Sequence, residues 1–156
     1  MPQRRAPARA TTAAPATVAL YAETSAVLRV LLEGHSQLAP ALTGAARVVT
    51  CDLTLLEADR ALRRALRDGR LTAQAYRDGQ HWLLQFAQAC HVIALSSAIL
   101  DRSKRDFPVE PVRTLDALHL AALKMWEETV GPIAVFSTDD RVRANAAAWG
   151  LTLVPA

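Results

Sequence analysis

The feature that most constrains the fold is an alternation. Short β-prone runs at residues 18–21, 48–49, 91–94, 133–137 and 151–154 are separated by stretches whose apolar residues recur at helical spacing. Strands separated by helices cannot pair through hairpins. They read as a parallel sheet with right-handed crossovers, an α/β domain. Helix stop and start signals punctuate the same pattern. Gly34, Gly69 and Gly150 close helical segments, Thr72, Thr114 and Ser96 or Ser97 open them, and Gly131-Pro132 turns the chain into the 133–137 strand. A second short helix is expected over 36–45, and Asp52 is placed to cap the helix that runs to about Asp68.

With 156 residues the chain is long enough for one sizeable core, and residues 18–156 show no repeat and no internal linker. Residues 1–17, MPQRRAPARATTAAPAT, are different. They lack periodicity and bury too little apolar surface to offset the entropy of ordering, so they are expected to be a disordered tail. The net charge of +3 is carried there by Arg4, Arg5 and Arg9, and the remaining basic residues balance the 15 acids. A tail that touches nucleic acid and a solvated tail both fit, and three arginines make few phosphate contacts. No apolar run approaches a membrane span or a secretory signal. Cys51 and Cys90 form neither a disulfide framework nor a zinc spacing. These features read as a protein of a reducing cytoplasm without membrane attachment.

In an open α/β sheet, ligands bind in the crevice beyond the carboxyl ends of the strands. The sequence sends acids to that place. Glu23 follows the first strand, Glu57 lies a turn into the helix after the second, Asp116 lies in the first turn of the helix opened by Thr114, and Asp140 follows the 133–137 strand. Each acid alone has a simpler use, because first-turn carboxylates favour the helix dipole. Gathered together they raise one another's pKa unless a cation neutralises them. A hard divalent ion such as Mg²⁺ takes oxygen ligands and keeps waters for a phosphate substrate, which suits phosphodiester cleavage.

Four stretches in order carry a resemblance: LYAETSAVLRVLL, RVVTCDLTLLEADRAL, RTLDALHLAAL and VFSTDDRVRANAAAWGL. They resemble PIN-domain ribonucleases, in particular the VapC-type toxins of bacterial toxin–antitoxin pairs, over about residues 18–155. The resemblance implies a three-layer α/β/α sandwich with a short parallel sheet and a Mg²⁺- or Mn²⁺-dependent endoribonuclease acting on RNA. It also implies a cognate antitoxin that blocks the site, and a homodimer. Glu23, Asp116 and Asp140 would hold the metal and Glu57 would complete the catalytic ring. Thr24 and Thr138 would orient water or substrate. The pattern departs at Glu23, where the family carries Asp. The extra methylene moves the carboxylate by about one C–C bond, and Mg²⁺ demands near-ideal octahedral geometry at ~2.0–2.1 Å. The alternative function is therefore a weakened or inactive PIN-fold protein that binds RNA or a partner.

Other residues have two uses. Arg60, Arg64 and Arg67 fall near Glu57's side of its helix, with Arg63 beside them. This face is either a phosphate rail for RNA or a solvated surface with Glu57–Arg60 and Asp59–Arg63 pairs. His119, a turn after Asp116, is either a proton donor or a supporting residue. Trp82, Phe86, Trp126 and Trp149 sit at helical spacing and read as core or interface rather than base-stacking residues. Leu28, Leu31, Leu32, Leu83 and Leu84 offer apolar surface to a second copy or an antitoxin helix.

Overall fold

The structure, a computed structural model, describes residues 18–34 and 37–155. The expectation for the tail, residues 1–17, lies outside the described residues, as does the start of the helix expected over 36–45. The elements are β1 (Ala19–Ala22), α1 (Thr24–Glu33), α2 (Ala39–Gly44), β2 (Val48–Cys51), α3 (Asp52–Arg67), α4 (Ala73–Ala89), β3 (His91–Ile93), α5 (Ser97–Arg102), α6 (Thr114–Thr129), β4 (Ile133–Phe136), α7 (Asp140–Ala148) and β5 (Leu153–Val154). The strands form one parallel sheet in the order β3-β2-β1-β4-β5.

The pleat explains the three layers. Successive side chains of a strand point to opposite faces, so a strand covered on both sides is apolar throughout. In β1, Ala19 and Tyr21 join a core with α5, α6 and α7 residues such as Ile99, Leu120, Leu123 and Val142. Leu20 and Ala22 join the other core, with Val27 of α1, Ala58 and Leu62 of α3, and Leu83 and Phe86 of α4. β4 divides the same way, Ile133 and Val135 to the first core and Ala134 and Phe136 to the second. The aromatics follow the core reading. Phe86 and Trp126 are buried, and Trp82 stacks on Phe86 at 5.3 Å between ring centroids.

The strand order places the site. The chain moves outward from β1 through β2 to β3, then returns to lay β4 on the other side of β1 and β5 beyond it. β1 and β4 are therefore the strands between which the winding reverses, the place where ligands bind in open α/β sheets. Glu23 follows β1 and residues 137–139 follow β4, so both lie at this point.

The helix starts differ in detail from the sequence reading. α1 is capped by Glu23 itself, α3 begins after Cys51 and α6 after Arg113, so Asp52 and Thr114 are first helical residues. Asp52 instead accepts the Leu95 amide at 3.2 Å and fixes the chain leaving β3. Thr72 and Ser96 cap α4 and α5 as expected, accepting amides from Ala75 and Ile99. Gly34 ends α1 at φ 59°, a left-handed conformation that glycine adopts without steric cost.

Candidate functional site

Glu23 ends β1 and opens α1. It is 5% exposed. Both of its carboxylate oxygens accept the Ser25 amide at 3.1 Å. Oε2 also accepts the hydroxyls of Ser25 and of Ser137, the latter at 2.7 Å. Ser25 Oγ in turn accepts the Thr138 amide at 2.9 Å. The β1–α1 and β4–α7 junctions are thus stitched together by one carboxylate and two serines. Arg143 adds a second stitch by donating to the carbonyls of Ser137 and Pro155 at 3.0 and 2.9 Å.

Asp116 lies in the first turn of α6. Its Oδ2 is buried and, among the described residues, has no hydrogen-bond partner. Burial pushes the Asp116 carboxyl up from its ordinary pKa, and the charges of Asp139 and Glu23 push it further in the same direction. Exposed Arg113 and Arg141 oppose the shift without cancelling it. A buried carboxylate oxygen left without a donor is costly, and an added cation is one way to satisfy it.

Asp139, not Asp140, is the last acid of this group. Asp139 is half-buried, acts on Asp116, and caps α7 by accepting the Arg141 and Val142 amides at 2.9 and 3.1 Å. Asp140 is exposed in the first turn of α7. The hydroxyl that reaches the acids is likewise Ser137 rather than Thr138. Ser137 Oγ bonds Glu23 and accepts the Asp139 amide at 3.1 Å, whereas Thr138 contributes its backbone. After Phe136, Ser137 is buried, Thr138 and Asp139 are half-buried and Asp140 is exposed.

Glu57 joins through a second cluster. Thr24 Oγ1 donates to Glu57 Oε2 at 2.5 Å. His119 Nε2 lies 2.9 Å from the same oxygen and 3.0 Å from Thr24 Oγ1. The Glu57 carboxylate has no hydrogen to give, so Nε2 carries it. On the far side of the ring, Nδ1 meets Tyr21 Oη at 3.2 Å and Cys51 Sγ at 3.5 Å, and Tyr21 Oη donates to Cys51 Sγ at 3.2 Å. Tyr21, Cys51 and His119 are buried. Burial alone disfavours the charged imidazole, but the bonds to Cys51 and Glu57 outweigh it and raise the His119 pKa to about 10. Burial raises the Glu57 pKa, and the bonds from His119 and Thr24 reverse that and hold it below the usual carboxylate value. His119 is therefore a supporting residue that fixes Glu57 and Thr24.

The sequence-predicted residues thus fall into two groups. Glu23 bonds Ser137, and the charges of Glu23 and Asp139 act on Asp116, while Glu57 and Thr24 meet His119 beside them; Nε2 of His119 is 3.9 Å from Glu23 Oε1. Among the described residues, no three His, Cys, Asp or Glu side chains form a ready-made metal cage. Mg²⁺ does not require one, because it is commonly bound through one or two carboxylates and several waters. The unsatisfied Asp116 oxygen beside two further acids fits that mode.

The arginines of α3 also separate. Arg63 pairs with Asp59 at 2.7 Å, and Arg67 contacts Asp68 at 3.3 Å. The expected Glu57–Arg60 pair is absent among the described residues, since Glu57 is held by His119 and Thr24. Arg60 and Arg64 line a cleft next to Glu57, and Arg67 does not.

No protein-family model and no curated protein sequence matches the chain. Its architecture, by contrast, matches solved structures of low identity. The crystal structure of VapBC2 from Rickettsia felis, bound to a DNA fragment from their promoter, gives a TM-score of 0.61 at 11% identity, covering 87% of this chain and 97% of that one. A toxin–antitoxin complex from Klebsiella pneumoniae gives 0.57 at 16% identity, covering 88% and 92%. VapBC-1 from nontypeable Haemophilus influenzae gives 0.58 at 9% identity, covering 87% and 96%. The chain has the PIN-like α/β/α fold that the resemblance implies.

Proposed function

We propose that this protein is a metal-dependent endoribonuclease of the PIN toxin type, with a cognate antitoxin as its partner. The observation that carries the reading is Asp116 Oδ2, buried without a donor beside Asp139 and Glu23 at the strand reversal point. Asp116 and Asp139 would hold a divalent ion, Mg²⁺ or Mn²⁺, with Glu23 supporting them. Such an ion, when bound, neutralises charge on a scissile phosphate and acidifies water. Glu57, fixed by His119 and Thr24, lies beside this group as an acceptor for a proton leaving the attacking water. Arg113 and Arg141 supply positive charge next to Asp116, suited to the flanking phosphates.

The test is cleavage of a panel of structured RNAs by the full chain with Mg²⁺ and with Mn²⁺. Cleavage that requires an ion and falls at least ~100-fold in Asp116→Asn supports the reading. Absence of cleavage with either ion refutes it. Growth arrest on induction, relieved by the product of the adjacent gene, tests the toxin assignment. The structures that share the fold include toxin–antitoxin complexes, which supports looking for such a gene.

A second reading is favoured by the engagement of Glu23. Its oxygens are occupied by the Ser25 amide and by two serine hydroxyls, so it acts as a cap more than as an open ligand. In that reading the protein binds RNA or a partner and cleaves weakly. Glu23→Asp separates the two. The shorter acid leaves a working nuclease unchanged or mildly impaired, and raises the activity of a weakened one.

A further inference from the structure

We propose that Tyr21 and Cys51 are positioning residues, a buried hydroxyl–thiol pair that anchors the His119 ring to the sheet and through it holds the Glu57 carboxylate in place. This rests on the nuclease reading above and assigns two further residues to its proton acceptor.

The two strands change character at the same end. On one face of the sheet β1 presents Ala19 and then Tyr21, and β2 presents Val49 and then Cys51, all within the first core. The earlier residue of each pair is apolar. The later one, nearer the carboxyl end, carries a hydrogen to donate. A core built for packing alone has no use for such hydrogens, because a buried polar group without a partner destabilises the fold. Here each group has a partner, and the partners lead towards the site.

Tyr21 Oη donates to Cys51 Sγ at 3.2 Å. Burial holds the Tyr21 pKa well above its ordinary value, so the hydroxyl keeps its hydrogen. Both groups meet Nδ1 of His119, Oη at 3.2 Å and Sγ at 3.5 Å. At the other end of the ring, Nε2 meets Glu57 Oε2 at 2.9 Å and Thr24 Oγ1 at 3.0 Å. The Thr24 hydrogen is committed to Glu57, so both oxygens face the hydrogen on Nε2. The imidazole is a bar bonded at both ends.

The ends differ in rigidity, and this sets the direction of the effect. Tyr21 and Cys51 are 0% exposed and His119 is 2% exposed, too deep for solvent to replace a lost bond. The Glu57 side chain is 25% exposed and reaches the ring from α3. A ring fixed by two strands of the sheet can orient a carboxylate at the solvent edge, whereas that carboxylate is a poor anchor for the ring. Groups that do chemistry must be held within ~0.5 Å by supporting bonds of this kind.

The test uses the full chain and the variants Tyr21→Phe, Cys51→Ala, Cys51→Ser and the double variant Tyr21→Phe/Cys51→Ala, with circular dichroism to verify folding. In ion-dependent RNA cleavage the double variant is expected to lose at least ~10-fold in kcat with KM within ~2-fold, as removal of supporting partners does elsewhere. Cys51→Ser keeps a hydrogen donor at the same place and should stay within ~3-fold of wild type, while Cys51→Ala should not. A role in packing alone predicts the reverse, with the apolar Ala the better replacement. This pair of variants decides the matter even where the double variant does not fold. Heteronuclear NMR of the isotope-labelled chain gives a readout without RNA. The Nε2–H signal of His119, identified by its loss in His119→Gln, should be sharp in the wild type and broadened by exchange in the double variant. An equally sharp signal in the double variant overturns the proposal, and so does Cys51→Ala cleaving as well as Cys51→Ser. Failure of the nuclease reading looks different: no RNA is cut with either ion, while the Nε2–H signal still depends on Tyr21 and Cys51 and the anchor stands.

Discussion

Glu23 is buried and Asp116 half-buried with one buried oxygen, and the protein treats the two acids differently. Glu23 receives an amide and two hydroxyls, while Asp116 Oδ2 receives nothing among the described residues. A charge that the fold leaves unsatisfied works against folding until a cation arrives. Asp116→Asn is therefore expected to raise Tm in EDTA by about 2–4 °C, the shift that ~1 kcal/mol gives in a chain of this size. His119 works in the opposite sense. Its pKa is raised from 6.5 to about 10 in the folded state, so its contribution to stability is fully present below pH 6.5 and is lost as the pH rises through about 10. Thermal unfolding should show Tm falling across that window, and Glu57→Gln should flatten the decline. The first turn of α6 was legible in the sequence as the place of an acid, and so was the position of His119 one turn later. Its partners were not. Tyr21, Cys51, Thr24 and Glu57 come from four other elements, and only the folded sheet brings them to one ring.

At the scale of elements, the alternation of strand and helix signals gave the sheet and nearly every helix, because apolar periodicity reports burial directly. It located the helix starts less well. Glu23 served as the cap of α1, since a carboxylate that accepts the Ser25 amide does the work of a capping hydroxyl. The same limit applies to the acids that follow β4. Asp139 and Asp140 are adjacent, and no periodicity tells that the first is half-buried and the second exposed. Asp139→Asn keeps the α7 cap, because Asn and Asp cap equally well. It should nevertheless reduce RNA cleavage at least ~10-fold, and Asp140→Asn should leave it within ~2-fold. The opposite ranking would return Asp140 to the site. Packing of α3 on α4 offers an independent check. A Cβ on Gly79 would lie 2.7 Å from Cδ2 of Leu62, a side chain that is 1% exposed. Gly79→Leu is expected to cost about 1–3 kcal/mol by denaturant unfolding, despite the better helix propensity of Leu.

For the whole molecule, the parallel order β3-β2-β1-β4-β5 explains why acids separated by tens of residues meet. The reversal between β1 and β4 sets the ends of two strands side by side, and α6 brings Asp116 to them from the first core. α3 adds Glu57 and the Arg60–Arg64 rim from the second. One edge of the sheet thus collects acids, an apolar cleft and positive charge. The central claim is that this edge binds a divalent ion through Asp116. Mn²⁺ binding followed by electron paramagnetic resonance tests it without any knowledge of the RNA. One ion per chain, weakened at least ~10-fold by Asp116→Asn, is the predicted result. Failure of the wild-type chain to bind Mn²⁺, or binding unchanged in Asp116→Asn, would contradict it.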